Sequence, residues 1–147
     1  MNTDGINKNN IQELLTKWQK ILRLQDWDIE LEVVDREWRK SGDVKIDLCN
    51  KQAVLLINSK PKCDNLNELI IHELLHIKLW GMDQMIEDLL NIVYGENDCD
   101  KKEFPETQFM TLLESTVQDL TKGYLELSNL GPVSFNRLKM DVEKEIN

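Results

Sequence analysis

Apolar residues recur along this chain with two different periods, and the changes of period divide it into a short series of elements. Over residues 8–24, Ile11, Leu14, Leu15, Trp18, Ile21 and Leu22 fall at spacings of three and four, the repeat of one face of an α-helix. Beyond Asp26, Trp27 and Asp28 the period drops to two: Ile29, Leu31 and Val33 alternate with Glu30 and Glu32, which predicts a half-buried strand. Ser41, Gly42 and Asp43 read as a turn into a second strand over 44–49. Asn50, Lys51 and Gln52 form a further turn into a third, more apolar strand over 53–58. Lys60 and Pro61 end that strand, and Asp64 or Asn65 can cap the helix that follows.

That helix, over 66–80, is apolar nearly all round, as expected of one enclosed by other elements. Gly81 is expected to end it. A short amphipathic helix follows, with Met85, Ile86, Leu89 and Val93 on one side and Glu87 and Asp88 on its wet face. The acidic run from Glu96 to Asp100 reads as a mobile loop that lacks the Asp spacing, glycine and final Glu of a calcium-binding loop. Over 109–127, Met110, Leu113, Val117, Leu120, Tyr124 and Leu127 form one helical stripe. After Gly131 and Pro132, the residues Phe135, Leu138, Val142 and Ile146 predict a last helix or a docking tail that could cover a cleft. Helix, three strands and three further helices give an α+β fold. We read residues 1–130 as a single domain and 131–147 as a carboxyl-terminal helical tail, with a shallow groove expected from so short a chain.

Composition narrows what such a domain can do. With 147 residues and a formal charge of −9, and no block of Lys or Arg to set against it, the chain is not expected to bind nucleic acid. A basic peptide or protein is compatible with that charge. No apolar stretch reaches 18 residues and the first residues lack a signal-peptide pattern, so the expectation is a cytoplasmic protein with no membrane association. Cys49, Cys63 and Cys99 are widely spaced, without a Cys-x-x-Cys pair, and read as ordinary reduced thiols. Trp18, Trp27, Trp38 and Trp80 read as core or boundary residues. Nothing in the pattern indicates an oligomeric state.

The two histidines of the chain lie in one stretch, His72-Glu73-Leu74-Leu75-His76. Residues i and i+4 of a helix share a face, about 6 Å apart along the axis, so both imidazoles can reach one zinc ion. Glu73 lies about 100° round the helix, where it can take a proton from a water that attacks a polarised carbonyl. An His pair on a wet helix face would need no such explanation, but these polar residues interrupt an otherwise apolar segment.

A catalytic zinc site has three protein ligands and a water. With no third histidine, the remaining ligand must be Asp, Glu or Cys. Asp83 is about 10 Å further along the axis from His76, too far to share the ion. Glu114 lies at the edge of the 109–127 stripe, about 100° from Leu113 and about 60° from Val117, where a second helix could present a ligand. Asp119 and Glu126 point away from that stripe, while Glu103 and Glu106 flank Pro105 in a loop or helix start. Glu114 is favoured on this geometry, and a boundary salt bridge is its other reading.

The His72-to-His76 motif followed by Glu114 in Leu112-Leu113-Glu114-Ser115-Thr116-Val117-Gln118 resembles the gluzincin pattern of zinc peptidases, in a minimal single-domain version. The likeness covers about residues 54–127. It implies His72, His76 and Glu114 as ligands of Zn2+, Glu73 as general base, and a peptide or protein as substrate. It also implies that the strand before the metal helix, 54–58, forms the rim of the cleft and pairs with an extended peptide. A central strand with no free edge is the other reading of that apolar segment. The chain departs from larger members in lacking a further His to steady an oxyanion, which leaves Tyr94 or an unidentified residue for that role. The expected function is a zinc-dependent metallopeptidase. The alternative is a non-catalytic metal-binding or protein-interaction module on a peptidase-like scaffold.

Overall fold

Asn7 opens the first helix, its side-chain oxygen accepting from the Asn9 N–H at 2.9 Å and so satisfying one of the donors a helix start leaves unpaired. In this computed structural model, which describes residues 7–97, 99–129 and 136–146, helix α1 then runs Lys8–Ile21 and buries Ile11, Leu15 and Trp18. The Trp18 indole N–H donates to Asn67 Oδ1 at 2.7 Å, so the polar edge of a buried aromatic fixes α1 against the start of the next helix. Gln19 Nε2 donates to the carbonyls of Leu24 and Trp27 at 2.9 and 2.7 Å, which holds the turn into the sheet.

The sheet has strands β1 (Asp28–Val34), β2 (Gly42–Asp47) and β3 (Gln52–Asn58). Their order is β1-β3-β2, with β1 parallel and β2 antiparallel to β3. Ala53, Leu55 and Ile57 of β3 are buried in the core. Both edges of β3 are thus paired, and the expectation that 54–58 would rim a cleft is corrected. Its near-continuous apolar run is that of a central strand with a neighbour on each edge, and β1 and β2 take the edge positions. Gly42 starts β2 against the following helix: a Cβ there would come within 2.9 Å of Leu69 Cδ1 and 3.2 Å of the Leu56 carbonyl. The absent side chain lets the edge strand approach the helix one turn ahead of His72.

Helix α2 runs Leu66–Tyr94, a single element of 29 residues capped by the Asn65 side chain. Gly81 does not end it, and the separate short helix expected around Met85 is its continuation. One glycine costs a helix roughly 1 kcal/mol relative to alanine, which the continuing backbone ladder on either side offsets. The stop comes at Gly95, whose φ of 89° suits a residue without a side chain and whose N–H donates to the Asn91 carbonyl at 2.8 Å.

Helix α3, Asp100–Leu127, starts well before residue 109 and carries Pro105 early in its length. Buried Lys102 accounts for the early start. Its ammonium donates to Asn91 Oδ1 at 2.6 Å and reaches the Glu96 carbonyl at 3.4 Å, tying the start of α3 to the end of α2. Leu113, Val117, Thr121 and Leu125 form the buried side of α3, and this stripe lays the helix along α2. Helix α4, Asn136–Ile146, matches the expected last helix. Its Leu138, Val142 and Ile146 are exposed, so they are not laid over a cleft, and Phe135 falls outside the described residues. Among the described residues no helix is long and apolar enough to cross a membrane.

Candidate metal centre

His72 and His76 leave α2 on the side that faces α3, with ring centroids 5.1 Å apart. Across from them is Glu114, one residue beyond buried Leu113. One carboxylate oxygen is 3.4 Å from His72 Nε2 and the other 3.0 Å from His76 Nε2. One ligand atom from each of the three residues can be chosen so that all lie within 4.8 Å of one another. A tetrahedral ion with bonds of about 2.0–2.2 Å sets its donors about 3.4 Å apart, so two imidazole nitrogens and a carboxylate make a donor group that could hold a metal ion once the side chains close on it.

The neighbouring side chains supply orientation. Gln118, one turn beyond Glu114 on α3, places its Oε1 2.9 Å from His72 Nδ1. Its Nε2 reaches Glu68 Oε1 at 3.4 Å. With the proton on Nδ1, the imidazole donates to the amide oxygen and turns its Nε2 lone pair towards Glu114 and the space where an ion would sit. Sequence reasoning did not single out Gln118. The signal was its spacing of four from Glu114, the same one-turn rule that joins the two histidines.

Glu73 is buried, with 8% of its surface exposed. Burial raises its pKa above the usual carboxylate value, against the lowering effect of the two imidazoles. It also lines both of the open recesses that meet at His72, with volumes of about 260 and 330 Å³. The base expected from sequence therefore faces the space in front of the donor cluster.

The other carboxylates stand elsewhere. Asp83 lines the larger recess beside Trp80 and Met110 and is not one of the converging donors; burial, then the charge of Glu87, raises its pKa. Glu103 and Glu106 lie in the first turns of α3, while Asp119 and Glu126 are exposed further along it. Tyr94 ends α2, about five turns beyond His76. It lines neither recess and is corrected as an oxyanion group. The three cysteines are free, and burial followed by the charge of Glu68 pushes the Cys63 thiol up to about 11.

Comparison with family models, curated proteins and solved structures finds no match to this chain.

Electrostatics give a first test. Hydrogen bonds from His72 and then His76 hold the Glu114 carboxyl well below its ordinary value. Burial lowers the His72 pKa, but the Glu114 bond, the Glu73 charge and the Gln118 bond outweigh it, and the net shift is upward. A raised histidine stabilises the fold fully below its unfolded value of 6.5 and loses that contribution as pH rises through the folded value. A lowered carboxylate stabilises above its unfolded value of 4.5 and loses that contribution as pH falls. Both contributions are present between those two unfolded values. In chelator, the Tm difference between wild type and Glu114→Gln is expected to be largest near pH 5.5 and to shrink towards pH 8. With zinc the trend reverses, because protons no longer compete for the imidazoles. A difference that does not change with pH in chelator would mean that the carboxylate and the imidazoles are not coupled.

Proposed function

We propose that this protein is a zinc-dependent metallopeptidase of minimal gluzincin type, acting on peptides or proteins in the cytoplasm. The observation that carries the reading is the convergence of His72 Nε2, His76 Nε2 and the Glu114 carboxylate, with buried Glu73 facing the same space. His72, His76 and Glu114 would hold the metal. When bound, zinc supplies a Lewis acid that polarises a carbonyl and lowers the pKa of water.

The protein side chains do the rest. Glu73 takes a proton from the attacking water at its carboxylate oxygen and returns it to the leaving amine. Gln118 keeps His72 in one tautomer. The edge strand β2 contributes Val44 and Ile46 to the wall of the larger recess, so an extended peptide could lie along its outer edge, where it would displace the Asp43 carboxylate that now accepts from the Val44 N–H at 2.9 Å.

A cleavage screen with unfolded proteins and mixed peptides tests the reading. Zinc-loaded protein is expected to produce defined cuts that a chelator abolishes and added zinc restores. Bound zinc without turnover across the whole screen would support the alternative, a metal-binding or interaction module.

A further inference from the structure

The cleft on either side of His72 and Glu73 differs in charge. In the larger recess the wall beyond these residues carries Asp43, Asp83 and Glu114 with Val44, Ile46, Trp80 and Met110, and Lys40 lies between the two recesses and lines both. In the smaller recess the wall includes Arg39, Lys40 and Lys62. Three cationic side chains lining one recess are unexpected in a chain of formal charge −9. Lys40 is already engaged, its ammonium 3.1 Å from Asp43. Neither the Arg39 guanidinium nor the Lys62 ammonium has an ion-pair partner among the described residues. Two carboxylates share this recess: Glu68, which accepts from Gln118 Nε2 at 3.4 Å and whose charge also acts on Cys63, and Glu73, which is buried beside His72, so the cationic side is the one that Arg39 and Lys62 form.

The basic wall is also held in place. Buried Asn58, at the end of β3, donates from its side chain to the carbonyls of Trp38 and Lys40 at 3.1 and 2.8 Å. Its backbone N–H donates to the Ser41 carbonyl at 2.8 Å. The Ser41 hydroxyl in turn accepts from the Lys62 N–H at 2.7 Å. One buried amide and one hydroxyl thus brace the backbone that carries Arg39 and the backbone that carries Lys62. An anion held between the two would meet a surface whose main chain is already ordered, which limits the entropy lost on binding.

We propose that this recess is a carboxylate-binding subsite, and that the preferred substrate carries a carboxylate on the Arg39–Lys62 side of the bond to be cut; the second half of the statement rests on the peptidase reading. Arg39 offers a planar fork that matches a carboxylate in two hydrogen bonds, and Lys62 adds a point charge. The carboxylate is either an Asp or Glu side chain or the free carboxyl terminus of a peptide.

Two peptide sets separate those sources. One consists of acetylated and amidated neutral hexapeptides in which a single Glu or Gln is moved through every position. The other consists of neutral hexapeptides with a free or an amidated carboxyl terminus. For each, kcat/KM is measured with zinc-loaded wild type, and Kd by fluorescence anisotropy with zinc-loaded Glu73→Gln.

At low salt we expect about fivefold or greater preference for the carboxylate over its neutral partner in one set. The preference should shrink in high salt, as for any exposed charge pair. It should approach one in the Arg39→Gln, Lys62→Gln double variant, with cleavage of neutral peptides retained. Equal rates and equal affinities for every charged and neutral pair would overturn the subsite while leaving peptide cleavage standing. If no peptide is cut, the Kd ratios decide the subsite by themselves, and the peptidase reading alone falls.

Discussion

The Glu73→Gln protein is expected to hold zinc as the wild type does and to cleave peptides at least about 100-fold more slowly, the lower bound of what a positioned general base contributes. The substitution keeps the shape of the side chain and removes its ability to accept and return a proton. Its effect on folding should be small. Glu73 is buried, and burial disfavours its charged form, so a neutral amide replaces a group that the fold does not need charged. Steady-state kinetics on a peptide found in the screen, together with zinc content, check the prediction. Turnover within a few-fold of wild type would remove Glu73 from the chemistry, and loss of zinc would show that it supports the ligands instead.

Zinc binding should also be visible in stability. A ligand that binds only the folded chain stabilises it by about 2.7 kcal/mol at a free concentration 100 times its Kd. For a chain of this size that corresponds to a rise in Tm of roughly 5–10 °C. Replacing Glu114 with alanine removes one of the three donors and leaves two imidazoles that face each other across 5.1 Å. The affinity should fall by at least about 100-fold, by comparison with the 10–100-fold that losing a mere supporting partner costs. The same zinc concentration should then raise the Tm of Glu114→Ala by no more than about 1–2 °C. An equal rise in both proteins would place the metal elsewhere.

The site was more legible than the supports around it. His72 and His76 could be paired because a helix repeat brings i and i+4 to one face, and Glu114 could be placed because the stripe of Leu113 and Val117 fixes which way that helix turns. The α+β order and the three strands also followed from period alone. The central position of β3 did not, because pairing order depends on which edge the parallel strand β1 reaches, and a short apolar run reads the same in either place. The continuity of α2 through Gly81 was hidden for a related reason: a glycine marks a helix end only where the backbone adopts a positive φ, and it does so at Gly95. The early start of α3 depends on Lys102 reaching back to Asn91. The bracing of the basic wall by Asn58 and Ser41 likewise joins residues far apart in the chain, and no local pattern marks contacts of that kind.

The peptidase reading requires that His72, His76 and Glu114 together hold one zinc ion. Metal content per chain, measured by elemental mass spectrometry on protein purified without chelator or affinity-tag metal, tests it most directly. Wild type should carry about one zinc, and Glu114→Ala prepared in parallel should carry little. Absence of zinc from the wild type even after reconstitution would contradict the claim and leave the three side chains as a histidine–carboxylate cluster that holds α2 to α3.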